Sequence, residues 1–339
     1  MIWNIDPEIF PFLPVRWYSL MFLVSFLIGV PLFSKLLKRQ GLADYKEITE
    51  KYFFYVFAGM IVGARLGHVF FYSWNYYSEN LLEILQPWKG GLASHGGVLG
   101  VIIATIIFFI IYGKRYKLSI WSIFDAIIIP ALLASSLIRL GNFCNSEIVG
   151  IQTKSGYGVV FCEDIHLLKK NISNKQLVPK VKITKEGKGE NGTLPVSCTL
   201  RYDHQNKNAA IDFMARLNSY NGNLHFNIND IGINNNGEYY DYKFTGSAIL
   251  RHPAQLYESA FYLLLFVISL LTYSFLYHYQ GACFGIFLGL IFLFRFFIEF
   301  IKMNQVAGEE YMKLNIGQRL SIPVVIICIG ISIWAFYRK

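Results

Sequence analysis

Charge is what this sequence has least of. Only 16% of its 339 residues are Asp, Glu, Lys or Arg, while 54% are hydrophobic and 17% aromatic. That balance excludes an ordinary soluble domain, and the polar interruptions between apolar runs exclude a fibrous one. Cysteine is also scarce. The five present form no Cys-x-x-Cys and no Cys/His zinc spacing, and no His/Asp/Glu/Cys group has ligand spacing, so neither metal nor cofactor is expected. The chain lacks His-Glu-x-x-His and a serine-nucleophile motif, which disfavours an intramembrane protease. It has no internal repeat and no charges in mid-span, which disfavours a solute transporter. The last apolar run, Leu320 to Tyr337, has no lysine for a Schiff base, which removes a retinal photoreceptor. The N-terminus, Met-Ile-Trp-Asn-Ile-Asp-Pro-Glu, is acidic and has no small-residue cleavage site. The first apolar run is therefore expected to remain as a span rather than leave as a leader.

What is present is a succession of long apolar runs. Seven approach the roughly 20 residues needed to cross about 30 Å of hydrocarbon. They lie near Trp17 to Leu36, Tyr52 to Phe71, Leu92 to Tyr112, Trp121 to Leu140, Leu256 to Leu276, Ala282 to Ile301 and Leu320 to Tyr337. The formal charge of +9 does not point to nucleic acid, because the cations gather in short connections and in one polar insertion. Lys35, Lys38, Arg39, Lys46 and Lys51 flank the first connection, Lys114, Arg115 and Lys117 the third, and Arg338 and Lys339 end the chain. By the positive-inside rule the N-terminus lies outside and the C-terminus inside. Residues 151–247 then form an extracytoplasmic insertion between the fourth and fifth spans. Alternations such as Lys180-Val-Lys-Ile-Thr and Glu238-Tyr-Tyr-Asp-Tyr-Lys-Phe predict short strands there, and Ala209 to Leu217 a helix. The fold expected is an all-α integral membrane protein of seven helices carrying a mixed α/β insertion. Residues 1–150 hold the first four spans and 248–339 the last three. Cys162 and Cys198 share the insertion, as a disulfide or as two free thiols.

Against this background several polar groups stand out, each with a bland reading beside a functional one. Leu137-Ile-Arg-Leu-Gly-Asn-Phe-Cys-Asn-Ser-Glu-Ile-Val-Gly150 closes the fourth span. Arg139 there either snorkels to the lipid interface or faces an interior or anionic ligand, since an arginine at the bilayer centre costs roughly 2.5 to 3.5 kcal/mol. Asn142 follows three positions on, with Asn145 and Glu147 beyond it. Gly59, Gly63 and Gly67 recur every four residues around Arg65 and His68, the pattern of a close helix contact. Gly90-Gly-Leu-Ala-Ser-His-Gly-Gly surrounds His95 with glycines; the histidine is a packed polar group or a proton carrier able to accept from a thiol. Arg251-His-Pro-Ala-Gln-Leu-Tyr-Glu258 opens the fifth span, where Pro253 suits a helix start and Glu258 the helix dipole. Arg295 and Glu299 are an intrahelical pair or, with Arg139, part of a bidentate anion grip. Tyr18 belongs to an interfacial aromatic belt or to a site.

With these stretches in hand, the chain resembles the prolipoprotein diacylglyceryl transferases of bacterial inner membranes, integral enzymes of seven spans. The most diagnostic match is Arg139-Leu-Gly-Asn-Phe-Cys-Asn-Ser-Glu-Ile-Val-Gly150, where Val149 replaces a frequent tryptophan. Gly63-Ala-Arg-Leu-Gly67, Gly90 to Gly97, Arg251 to Glu258, Trp17-Tyr18, Arg295 with Glu299, and Gly317-Gln318-x-Leu-Ser321-x-Pro323 complete it in order. Ser19 and Ser94 depart from the pattern, Lys302 stands where arginine is frequent, and Leu290-Ile-Phe replaces a Gly-Tyr-Gly. The resemblance implies transfer of the diacylglyceryl group of phosphatidylglycerol to the lipobox cysteine of a preprolipoprotein, releasing glycerol phosphate. Its partners would be that lipid, the peptide and the surrounding membrane, with no nucleic acid. It implies His95, Arg139 and Arg295 as the catalytic set. Tyr18, Arg65, Asn142, Asn145, Glu147, Gly150, Arg251, Gln255, Tyr257, Glu258 and Glu299 would bind substrate. The enzyme would sit in the inner membrane with its N-terminus and insertion periplasmic and its C-terminus cytoplasmic.

Overall fold

A computed structural model describes residues 1–339 except 11, 12, 87, 89, 92, 173–177, 221, 236, 305–310 and 339, and omits the side chains of 13, 14, 94 and 95. Seven described helices are long and apolar enough to cross a membrane. They are α1 (Trp17–Arg39), α2 (Tyr45–Tyr72), α4 (Ser94–Tyr116), α5 (Ile120–Cys144), α8 (Ala254–Leu276), α9 (Ala282–Ile298, extended by a 3₁₀ turn, Glu299–Ile301) and α10 (Ile316–Tyr337). A short α3 (Trp74–Glu79) follows α2. Helix α2 starts seven residues before the apolar run begins. Its first turns, Lys46, Glu47, Glu50 and Lys51, satisfy their backbone as well as apolar residues would, so hydropathy marks the lipid-facing part and not the helix end.

The chain divides into two compact units: one comprises Met1–Val24, Ser135–Tyr262 and Leu293–Ile322, the other Ser25–Ala134, Leu263–Phe292 and Pro323–Lys339.

In the second unit α2 and α4 touch backbone to backbone. A Cβ on Gly63 would come within 2.4 Å of the Gly96 carbonyl oxygen, and one on Gly100 within 2.0 Å of that of Gly59. The every-fourth-residue glycines are thus a helix contact that no larger side chain fits. Tyr52, fully buried between Phe33 and Phe108, bonds the Thr105 hydroxyl at 3.0 Å. Asp125, also buried, accepts from the backbone N–H groups of Gly281 (2.7 Å) and Phe284 (2.8 Å), so α9 is capped by a carboxylate from α5.

In the first unit the insertion builds a four-stranded antiparallel sheet, in the order β5-β6-β8-β7, from β5 (Lys180–Lys185), β6 (Thr193–Tyr202), β7 (Leu224–Asn235) and β8 (Tyr240–Ile249). Strand β6 buries Leu194, Val196, Cys198, Leu200 and Tyr202 on one face, the period of two that a half-covered sheet demands. Helix α7 (Lys207–Ser219) covers that face with Ala210, Phe213, Met214 and Leu217, spaced as one helical stripe. Strands β5 and β8 and helix α7 fall where alternation and apolar spacing placed them. Helix α6 (Glu163–Asn171) adds Ile165 and Leu168 to the same core. The N-terminus contributes β1 (Ile2–Trp3), paired in parallel with β4 (Val160–Phe161), and a hairpin of β2 (Glu8–Phe10) with β3 (Leu13–Arg16). Cys162 and Cys198 are free thiols buried in this core.

A cluster of arginines and carboxylates as candidate active site

The first unit collects the polar ends of α5, α8, α9 and α10. Three irregular segments are stitched by backbone bonds: Gly150 N–H donates to the His252 carbonyl (3.0 Å), Ile151 to Ile301 (2.9 Å) and Met303 to Val149 (3.1 Å). A Cβ on Gly150 would lie 2.5 Å from the His252 carbonyl oxygen and 2.8 Å from that of Ile301, so only glycine admits both strands. Just before it, Ser146 (φ 59°) and Ile148 (φ 56°) sit in the left-handed region. For a β-branched residue that conformation costs on the order of 1–3 kcal/mol and persists only where surroundings impose it. They do so by gripping Glu147. Its carboxylate accepts from Asn142 Nδ2 (3.1 Å) and Asn145 Nδ2 (3.2 Å) and pairs with Arg16 (3.5 Å), and its carbonyl accepts from Gln255 Nε2 (2.5 Å). On the adjoining face of α5, Gly141 lets α1 approach; a Cβ there would meet the Tyr18 Cα at 2.8 Å.

From Arg139 an ion-pair chain runs through the unit. Arg139 Nε lies 3.2 Å from Glu258 Oε2, and its Nη1 donates to Asn142 Oδ1 at 3.4 Å. Glu258 Oε1 pairs with Lys302 Nζ at 2.9 Å and accepts from the Tyr262 hydroxyl at 3.4 Å. Lys302 also reaches Glu299 Oε1 at 3.1 Å, and Arg295 Nε stands 3.8 Å from that same oxygen. Asn315 Nδ2 donates to Glu299 Oε2 (3.1 Å) while Asn315 and Gln318 exchange side-chain and backbone bonds as a reciprocal cap on α10. Burial differs along this chain. The Glu258 and Lys302 side chains are 0% and 2% exposed, but Arg139 keeps 17% and Arg295 38%. The links are sealed and the two terminal guanidiniums are open. Each guanidinium has five N–H donors, of which the described contacts use a minority. Two buried acceptors, Asn145 Oδ1 and Gln255 Oε1, receive no hydrogen bond from the described residues, while Glu258 Oε2 meets the Arg139 guanidinium as an ion pair only. An incoming donor would satisfy them.

Of the residues expected from the sequence, Tyr18, Arg139, Asn142, Asn145, Glu147, Gly150, Gln255, Glu258, Arg295 and Glu299 are assembled in this one unit. Two others of the unit stand apart. Arg251 donates through Nε to Asn223 Oδ1, in the insertion, so its side chain braces the sheet and does not join the cluster. Tyr257 is 41% exposed, its ring beside His252. Arg65 belongs to the second unit and is consumed locally: it donates to the backbone carbonyls of Glu83 (2.5 Å), Ile84 (3.0 Å), Gly90 (2.5 Å) and Gly91 (3.3 Å) and lies over the Tyr77 ring. That is the role of a clamp on the backbone at 83–84 and 90–91. The backbone of His95 lies in the first turn of α4, and its side chain is outside the described residues. The residues that sequence reasoning missed are Lys302, Asn315, Tyr262 and Arg16. Lys302 three positions after Glu299, and the Asn315-x-x-Gln318 cap, were the available signals.

Comparison with known proteins gives the chain a family. The sequence model of a family described as prolipoprotein diacylglyceryl transferase matches residues 7–334. A phosphatidylglycerol–prolipoprotein diacylglyceryl transferase of Tolumonas auensis is 32% identical over 329 residues, covering 96% of this chain and 94% of that protein. Proteins of the same name from Chloroherpeton thalassium (30% identical; 96% and 91% covered) and Porphyromonas gingivalis (32%; 99% and 93%) are similarly close. With a match this nearly complete in both directions, the chain belongs to the prolipoprotein diacylglyceryl transferase family.

Proposed function

We propose that this protein transfers the diacylglyceryl group of phosphatidylglycerol to the thiol of a lipobox cysteine in a preprolipoprotein. In that reaction the thiol S–H breaks, the sulfur attacks the glycerol carbon that carries the phosphodiester, a C–S bond forms and the C–O bond to phosphate breaks. Glycerol phosphate leaves with the released charge. The observation that carries the reading is the ion-pair chain whose buried middle, Glu258 and Lys302, holds two partly open arginines at its ends. Arg139 and Arg295 are the phosphate clamp, because guanidinium groups hold phosphate oxygens bidentately and cost no reorganisation when charge develops on the leaving group. Asn142, Glu147 and Glu299 orient them. Tyr18, Asn145, Gly150, Gln255 and Glu258 shape the place where headgroup and peptide meet. His95 takes the base or proton-relay role. No metal or cofactor enters the scheme, and no nucleic acid is a partner.

The same reading sets the protein in a bacterial inner membrane with its N-terminus and insertion periplasmic and its C-terminus cytoplasmic, which the distribution of Lys and Arg supports. The test uses purified protein, phosphatidylglycerol and a lipobox peptide, with thioether formation followed by mass. Arg139→Ala and Arg295→Ala are each expected to lose about 10²–10³ in kcat, the usual effect of removing one oxyanion-stabilising donor. Near-normal turnover in the Arg139→Ala protein rejects the clamp.

A further inference from the structure

Glu163 is a carboxylate that the scheme above leaves unused. It opens α6, two residues after Phe161, and Phe161 packs edge-on against Phe143 with ring centroids 5.7 Å apart. Phe143 neighbours Asn142 on α5, and Val149 and Leu256 pack on the same small core. The first strand of the insertion is thereby seated on the underside of the loop that presents Glu147, and Glu163 is carried to that loop with it. Its neighbour Asp164 is spoken for: that carboxylate accepts from Asn223 N–H at 3.3 Å, inside the insertion. Adjacent helical residues point about 100° apart, so Glu163 faces elsewhere. Among the described residues no side-chain hydrogen bond or ion pair engages Glu163, although it is half-buried. The other carboxylates of the cluster are committed, Glu147 to two asparagines and Arg16, Glu258 to Arg139 and Lys302, and Glu299 to Lys302, Arg295 and Asn315. The charged groups that Glu163 feels are Asp164 on its own helix, Glu147 on the loop and Arg16 at the end of β3. Around Glu147 the buried amide oxygens of Asn145 and Gln255, 1% and 0% exposed, still lack a donor. That side of the cluster is built to receive a group that brings hydrogen.

We propose that Glu163 is a further catalytic residue, the carboxylate that accepts the proton of the incoming thiol beside Glu147. The inference rests on the transferase reading and gives His95 the relay alternative of its two roles. In the step, the S–H bond breaks, its proton moves to a Glu163 carboxylate oxygen, and the thiolate displaces phosphate from the glycerol carbon. The proton then passes to water or to the departing phosphate monoester. Burial first, and the charges of Asp164 and Glu147 next, push the Glu163 carboxyl up to about 7, against the opposing pull of Arg16. A base with that value is half ready at neutral pH, where general-base catalysis is most effective.

The experiment uses the full-length protein in lipid nanodiscs with phosphatidylglycerol and a lipobox peptide, its rate measured from pH 5 to 9. The wild-type rate should climb with pH through about 7 as Glu163 loses its proton. Glu163→Gln should lower kcat about 100-fold, the low end for a general base, and abolish that climb. Glu163→Asp should keep it, and formate should restore part of the rate to Glu163→Ala, which no merely structural role allows. Glu163→Gln turning over like wild type with the same acid limb overturns the proposal. So does a reduced rate whose acid limb is intact in every variant and which formate leaves unchanged. An inactive wild-type protein would instead remove the transferase reading itself.

Discussion

Lys302 shows how much one side chain can carry. Sequence alone shows it just after an apolar span, where it stands in place of a frequent arginine. In the fold it is 2% exposed and neutralises Glu258, 44 positions earlier, together with Glu299. Hydropathy holds no record of that partner, which is why the residue was legible only as a departure from a family pattern. Removing one member of a buried ion pair typically costs about 3–5 kcal/mol, whereas replacing both with apolar groups is often neutral. Lys302→Met should therefore lower the thermal unfolding midpoint sharply, and Lys302→Met combined with Glu258→Gln should recover part of the loss; equal midpoints for wild type and the single variant would refute the linkage. The cysteines make a second case at this scale. Burial and the neighbouring Asp164 push the Cys162 thiol up to about 12, and burial and Cys162 do the same for Cys198, so neither is a thiolate at neutral pH. Both should stay unlabelled by maleimide in the folded protein and react once denatured, with intact mass as the readout. Arg65 and Arg251 teach the converse. Their partners are backbone carbonyls and an asparagine in the bend just before β7, acceptors with no sequence signature, so two arginines that looked alike beside Arg139 brace local structure.

At the scale of elements, the pattern in the chain was most informative where burial is one-sided. The alternation in β5 and β8 and the stripe of α7 each arise from a single apolar face, and one-sided burial writes itself into residue order; the seven spans are apolar all round and are read from run length instead. The parallel pairing of β1 with β4 does not, since two-residue strands have no period to read. The contact between α2 and α4 lies between these cases: the glycine spacing announces it, and the structure supplies the distances. Since a Cβ at Gly63 would meet Gly96 O at 2.4 Å and Gly100 Cα at 2.7 Å, the helices must separate to admit it. Gly63→Ala should cost about 1–3 kcal/mol, as overpacking does. Gly330 in α10 is the control, with nothing within 4 Å of its would-be Cβ. Gly330→Ala should be neutral or mildly stabilising, because alanine is the better helix former by about 1 kcal/mol. If the two substitutions shift the unfolding midpoint equally, close packing is not what the glycines are for.

For the whole molecule the proposed chemistry depends on which way the chain threads the bilayer. The cations that bracket α1 with α2 and α4 with α5, and those after α10, are an asymmetry that insertion reads. On that rule the insertion, the loop bearing Glu147 and the arginine ends of the ion-pair chain share the outer side. Single cysteines in a Cys144→Ser background test it, since the other four native thiols are buried and give little background. Lys188→Cys, exposed after β5, should react with a membrane-impermeant maleimide in intact spheroplasts. Lys46→Cys, exposed in the first turn of α2, should react only after the membrane is permeabilised. The inverse pattern would place the arginines at the inner face. A peptide thiol presented outside would then meet no guanidinium, and the clamp, the proton acceptor at Glu163 and the transferase reading that joins them would have to be rebuilt from the other side.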